Sequence, residues 1–146
     1  MSAECFVDTN LLVYARDSSE PEKQPIASGW LSQLWKQEKG RISTQVLNEY
    51  YVTVTQKLEP GLPLKQARSD VRALGIWNPV AMSSRLIEAA WDIQDDYRYS
   101  WWDSLIITSA LFLDCRYLLS EDMQHGQSIG ALTLVNPFIT PVDELL

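Results

Sequence analysis

Residues 5–14 read Cys5-Phe6-Val7-Asp8-Thr9-Asn10-Leu11-Leu12-Val13-Tyr14. A short apolar run stops at Asp8. The Asp8-Thr9-Asn10 step then offers side-chain oxygens of the kind that accept hydrogen bonds from the free N–H groups of a helix start. Leu11 to Tyr14 continue as the helix. The stretch therefore reads as a buried strand turning directly into a helix, with a carboxylate at the turn. In an open parallel sheet, the space beyond the carboxyl end of a strand is where ligands bind.

Downstream, Asp17 to Glu22 is a polar, proline-containing loop, and a helix around Trp30, Leu31, Leu34 and Trp35 follows, closing at Gly40 as a helix-ending glycine. Arg41-Ile42 is expected as a second strand. Ser43 or Thr44 caps a helix whose apolar residues Val46, Leu47, Tyr50, Val54 and Leu58 recur at helical spacing, and Glu59-Pro60-Gly61 stops it. Pro63 suits the first turn of another helix, through Ala67, Val71 and Leu74 to Gly75. A further strand is expected around Ile76 to Ala81, with Pro79 marking an interrupted or edge position. Ser83 opens a helix with Leu86, Ile87, Ala90 and Trp91 on one face. Ser100-Trp101-Trp102-Asp103 resembles a capping box, and the helix after it is apolar on nearly every side from Leu105 to Leu113, as a central helix would be. Tyr117-Leu118-Leu119 and Ala131 to Val135 read as the last strands. Strands alternating with helices predict an α/β fold in one domain over 1–146, with a central, mostly parallel sheet of four or five strands covered on both faces.

Composition narrows the function. The chain has 146 residues, with 12 Lys and Arg against 19 Asp and Glu, for a formal charge of −7. Such a chain repels a polyphosphate, so a non-specific nucleic-acid coat is disfavoured and any nucleic-acid contact must be local or metal-mediated. Hydrophobic residues at 46% and charged residues at 21% are ordinary for a globular domain and exclude a disordered chain. Cys5 and Cys115 sit in apolar runs and read as buried thiols rather than a bridge, which fits a reducing cytoplasm. Glu4 and Asp8 stand where a secretory leader would be basic, and no stretch approaches the roughly 18 apolar residues of a membrane span.

Asp8 and Asp122 each follow a strand end, and so fall on one edge of the sheet. Asp103 lies in the first turn of the central helix, where free N–H groups and the helix dipole stabilise an anion. Glu49 lies well off the apolar face of its helix, which leaves it bordering a cleft or facing solvent. Gathered carboxylates repel unless a cation intervenes. Oxygen-only donors, with no His or Cys cluster, point to a hard ion, Mg²⁺ or Mn²⁺. Such ions bind substrate phosphates and acidify water, which makes metal-dependent phosphodiester hydrolysis the leading chemistry.

Four stretches carry a resemblance: Phe6-Val7-Asp8-Thr9-Asn10-Leu11-Leu12-Val13-Tyr14-Ala15, Ser43-Thr44-Gln45-Val46-Leu47-Asn48-Glu49, Trp102-Asp103-Ser104-Leu105-Ile106, and Leu119-Ser120-Glu121-Asp122. In this order and spacing the chain resembles PIN-domain ribonucleases, particularly the VapC-type toxin subunits of VapBC toxin–antitoxin modules. The resemblance implies a PIN-like three-layer α/β/α fold. It implies an acidic metal site and catalytic set of Asp8, Glu49, Asp103 and Asp122, supported by Asn10 and Ser120. It also implies cleavage of RNA by a metal-activated water leaving a 3′-hydroxyl and a 5′-phosphate, a homodimer, and an antitoxin partner whose tail occupies the RNA groove.

Each of these residues also has a structural use. Asp8 caps the first helix, Asp103 completes a capping box worth about 1 kcal/mol, and Glu49 alone reads as a solvated residue. Glu121 reads as a turn residue or an outer ligand. His125 is a loop residue within possible reach of RNA, and Trp101 and Trp102 divide between packing and base stacking. Arg16 suits a phosphate contact or an exposed ion pair equally, while Tyr14, Trp30, Leu34 and Trp35 read mostly as core. The alternative to catalysis is an inactive interaction protein of the same fold, binding a basic partner peptide through its acidic groove.

Overall fold

A computed structural model of the chain describes residues 4–146. Strand β1 (Cys5–Val7) is buried at every residue and lies inside a five-stranded sheet of order β2-β1-β3-β5-β4. The others are β2 (Gly40–Arg41), β3 (Tyr117–Leu119), β4 (Ser128–Ile129) and β5 (Leu132–Val135). All neighbours run parallel except β4 and β5. With helices on both faces this is the three-layer α/β/α architecture expected. The chain leaves β1 for β2 on one side and returns past it to β3 on the other, so the order reverses between β1 and β3, and a crevice opens at such a reversal.

The helices begin where the sequence places caps. Asp8 Oδ1 accepts from the Thr9 N–H at 2.7 Å and starts α1 (Thr9–Tyr14). Ser43 Oγ accepts from Val46 N–H at the start of α3 (Thr44–Val52), after α2 (Lys23–Lys36). Pro63 precedes α4 (Leu64–Leu74), and Ser83 caps α5 (Ser84–Tyr97) through the Leu86 N–H. Ser100 caps α6 (Trp101–Phe112) through the Asp103 N–H at 3.2 Å. Helix α6 is buried without a break from Ser104 to Ala110, and its Thr108 and Ser109 hydroxyls donate back to the Ser104 and Leu105 carbonyls at 2.7 and 2.8 Å. Two hydroxyls thereby enter the core with partners. Leu86 and Ala90 of α5 pack on Leu105, with Trp101 at the margin.

Two expectations differ. Helix α2 does not end on Gly40. Glu38 takes the left-handed conformation (φ 57°), and the Lys39 N–H reaches the Leu34 carbonyl at 3.0 Å, closing the helix without glycine. Gly40 instead lies in β2 beneath the Trp77 indole, where a Cβ would stand 2.4 Å from the ring. That contact also explains why Ile76 to Ala81 is not a strand. Burying Trp77 requires a 3₁₀ turn over Gly75–Trp77 followed by Asn78 at φ 49°, and Pro79 lacks a donor, so only Val80 bridges to the sheet margin at Ser43. Conversely β4, too short to carry a pattern, pairs antiparallel with β5. Smaller differences are the second strand starting at Gly40, a π-helical turn at Thr53–Lys57, and Trp91 facing solvent at 52% exposure. Cys5 and Cys115 are buried thiols, and no helix among the described residues is long and apolar enough to cross a membrane.

Gly40→Ala forces its methyl into Trp77 and is expected to lower stability by about 1–3 kcal/mol, with a smaller loss in a Trp77→Leu background. Urea unfolding of the two single variants and the double variant measures this; equal losses in both backgrounds would place the strain elsewhere.

Candidate functional site

The register Val7 against Leu119 sets Asp8 beside Ser120 at the carboxyl ends of β1 and β3, and the Asp8 N–H donates to the Leu119 carbonyl at 3.1 Å. Asp8 is 7% exposed. Its Oδ2 accepts from Ser120 Oγ at 2.7 Å and, more weakly, from Asn10 Nδ2 at 3.4 Å. The Asn10 amide also donates to Asp122 Oδ2 at 3.1 Å, and the Asp122 N–H donates to Ser120 Oγ at 3.2 Å. Asn10 and Ser120 therefore tie two carboxylates from opposite ends of the chain into one network.

The other two acids arrive on helices. Asp103, in the first turn of α6, is half-buried. Glu49 projects from α3, where Gln45 Nε2, one turn earlier, donates to Glu49 Oε1 at 3.1 Å and to the Trp102 carbonyl at 3.3 Å, coupling α3 to the start of α6. Burial pushes Asp8 up to about 7; the Ser120 and Thr9 donors oppose the rise, and the charges of Asp103 and Glu49 add to it. Burial also raises Glu49, with the Asp103 charge contributing, and raises Asp103, with the Asp122 charge contributing. The charges of Asp8, Glu49 and Asp103 thus act on one another, that of Asp122 acts on Asp103, and Glu49 borders a cleft rather than bulk solvent.

As the side chains stand, no three His, Cys, Asp or Glu among the described residues are gathered closely enough to hold a metal ion. The donor chemistry nevertheless suits a hard cation. The acids offer only oxygen, and Asp8 is an anion disfavoured by burial and by its neighbours. Two residues after it, Asn10 Oδ1 is buried with no hydrogen-bond partner. A cation drawing the carboxylates inward would relieve the repulsion.

The remaining candidates separate. Arg16 makes a two-pronged ion pair with Asp70 at 2.7 and 3.0 Å, and Tyr50 Oη donates to the same carboxylate, so of its two readings the ion pair is the one found. Glu121 accepts from Tyr14 and from Lys23 at 2.8 Å, fastening the turn after β3 to α1 and α2. His125 Nδ1 accepts from the Asn136 N–H at 3.0 Å in an exposed turn. Trp101 packs, while Trp102 stands 62% exposed next to Asp103. Trp30 and Leu34 are core, but Trp35 is 44% exposed. Two residues escaped the sequence reading. In the sequence Thr9 reads only as a cap, and the signal that points to Gln45 is its i, i+4 spacing to Glu49.

A comparison with curated proteins finds no match. Among solved structures, a toxin-antitoxin complex from Klebsiella pneumoniae is similar, with a TM-score of 0.64 and 19% identity over 92% of this chain and 98% of that one. At that identity the likeness is one of fold. The family model described as PIN domain matches residues 5–127, from β1 to the residue before β4, a span that includes all four acids. On that match over most of its length, the chain belongs to the PIN domain family.

Proposed function

We propose that this protein is a metal-dependent endoribonuclease, using Mg²⁺ or Mn²⁺, and the toxin of a type II toxin–antitoxin pair. The observation that carries the reading is Asp8, a carboxylate 7% exposed that shares one edge of the sheet with Glu49, Asp103 and Asp122. Membership of the PIN domain family supports nuclease chemistry, and the similar fold of a toxin-antitoxin complex supports the pairing.

Asp8, Glu49, Asp103 and Asp122 are the residues that would hold the ion. When bound it supplies charge neutralisation at the scissile phosphate and acidifies an attacking water. The protein supplies positioning. Thr9 and Ser120 fix both oxygens of Asp8, Asn10 holds Asp122, and Gln45 anchors Glu49 through Oε1, so that the four carboxylates are oriented before an ion would bind. The products are a 3′-hydroxyl and a 5′-phosphate. The antitoxin docks a basic tail into the same acidic groove, where an Arg makes two-pronged bonds to the carboxylates. The protein is one domain over 1–146 and acts as a cytoplasmic homodimer.

Asp8→Asn and Asp103→Asn are each expected to abolish divalent-ion-dependent RNA cleavage with the circular dichroism spectrum retained. Full cleavage by both purified variants would remove these residues from the site.

Stability follows the same site. Since Asp8 is pushed up to about 7 in the fold and titrates near 4 in the unfolded chain, the folded state binds more protons between those values. The contribution of Asp8 to metal-free stability is therefore fully present below about pH 4, falls by at most about 1.4 kcal/mol per pH unit up to about pH 7, and is constant above, while Asp70, held below the usual carboxylate range by Arg16 and Tyr50, contributes in the opposite sense at acid pH. Urea midpoints across pH in a chelator, compared with Asp8→Asn, measure this. The variant should lose most of the slope and be the more stable protein at pH 8, and saturating Mg²⁺ should raise the wild-type midpoint there. A wild-type midpoint that rises between pH 5 and 7 would contradict the crowded anion.

A further inference from the structure

Beside the acids lies an open cavity of about 430 Å³, lined by Thr44, Gln45, Asn48, Glu49, Met82 and Trp102. Glu49 is its shared wall with the acidic site, and Trp102 is joined in the chain to Asp103. The Trp102 indole is 62% exposed and Met82 38% exposed, an apolar surface on a cleft that is otherwise polar. Gln45 is 8% exposed, and its Nε2 is committed to the Glu49 carboxylate and the Trp102 carbonyl. Because both of those groups only accept, the amide orientation is fixed, and Oε1 is left buried with no partner. An acceptor in that state needs a donor.

We propose that this cavity is a base-binding subsite, in which a nucleobase next to the scissile phosphate stacks on Trp102 and its exocyclic amino group donates to Gln45 Oε1. The proposal rests on the nuclease reading above and names how that site takes its substrate. Three features select a base over other occupants. A base is neutral, so a chain of formal charge −7 can hold it without the basic groove that phosphate binding demands. Stacking on an aromatic face is sequence-tolerant and strong enough to place a strand. Asn48 and the free oxygen of Gln45 are side-chain amide groups of the kind that pair with base edges. The volume holds a base with room for ordered water. Adenine, cytosine and guanine carry the required amino group and uracil does not.

The test uses the full chain and short single-stranded homo-oligoribonucleotides, with binding measured in Ca²⁺ and cleavage in Mg²⁺ or Mn²⁺. Wild type is expected to bind adenylate and cytidylate oligomers more tightly than uridylate. Trp102→Ala should weaken the first two by about tenfold and raise KM while sparing kcat, and Trp102→Phe should recover most of the loss. An abasic nucleotide at one position flanking the mapped cleavage site should cost wild type as much as Trp102→Ala does, and cost that variant little more. Equal affinity for uridylate, losses from the two changes that multiply independently, or a Trp102→Ala effect confined to an Arg-bearing peptide would each overturn the subsite. Cleavage that persists without any Trp102 dependence sinks the subsite and spares the nuclease reading. Trp102-dependent base selectivity in a protein that never cleaves does the reverse.

Discussion

The structure turns on one carboxylate taken out of water at the end of a strand. Asp8 closes β1, the strand flanked by β2 and β3, and is held by the Thr9 N–H and the Ser120 hydroxyl. An anion in that position survives through donors, through retention of its proton, or through a nearby cation. The first is present in its two short hydrogen bonds. The second is expressed in the push to about 7. The third is what Glu49 and Asp103 would favour, because each added negative charge makes the first two compensations less sufficient. A fold optimised only for stability would place Asn or Ser at this helix start, where either caps as well. Keeping an acid there is expected to lower metal-free stability once the carboxyl is ionised, and such local costs concentrate where a protein acts.

The parts of this arrangement written in local sequence were legible. The strand-to-helix turn at Asp8, the caps at Ser43, Ser83 and Ser100, and the wholly apolar α6 depend on neighbours within a few residues, and the structure has them there. Gly40 was misread because the reason for a glycine lies at Trp77, far along the chain, in a contact that no local pattern encodes. The strand expected at 76–81 failed for the same reason from the other side, since Trp77 was read as part of an extended run when its burial requires a turn. Strand β4 is two residues long and owes its conformation to β5 alone.

Site residues divided along the same line. Asp8, Asp103 and Asp122 could be placed at element ends, which periodicity locates. Glu49 could not, because a residue off the apolar face borders a cleft only if another helix stands there, and here the start of α6 does, bridged by Gln45 to the Trp102 carbonyl. Arg16 had two equal readings, and the choice between them was made by Asp70 on α4, a partner invisible from the Arg16 side of the chain. The helical spacing of Gln45 and Glu49 was in plain view, but its meaning depends on a third element.

The net charge of −7 has a role in a protein proposed to cut a polyanion. A basic nuclease gathers nucleic acid first and cleaves where its site allows, so affinity and chemistry are separate steps. An acidic one repels the strand everywhere except where a divalent cation reverses the local sign, so on the proposed reading the ion that supplies the chemistry also admits the substrate. Base stacking fits that scheme, since it adds affinity without adding positive charge. A basic partner tail fits it from the opposite direction, because the carboxylates that require a cation are equally satisfied by a guanidinium. On the proposed reading cation and partner compete for the same uncompensated charge, and the buried carboxylate expected to make the metal-free protein less stable is what would give each of them something to bind.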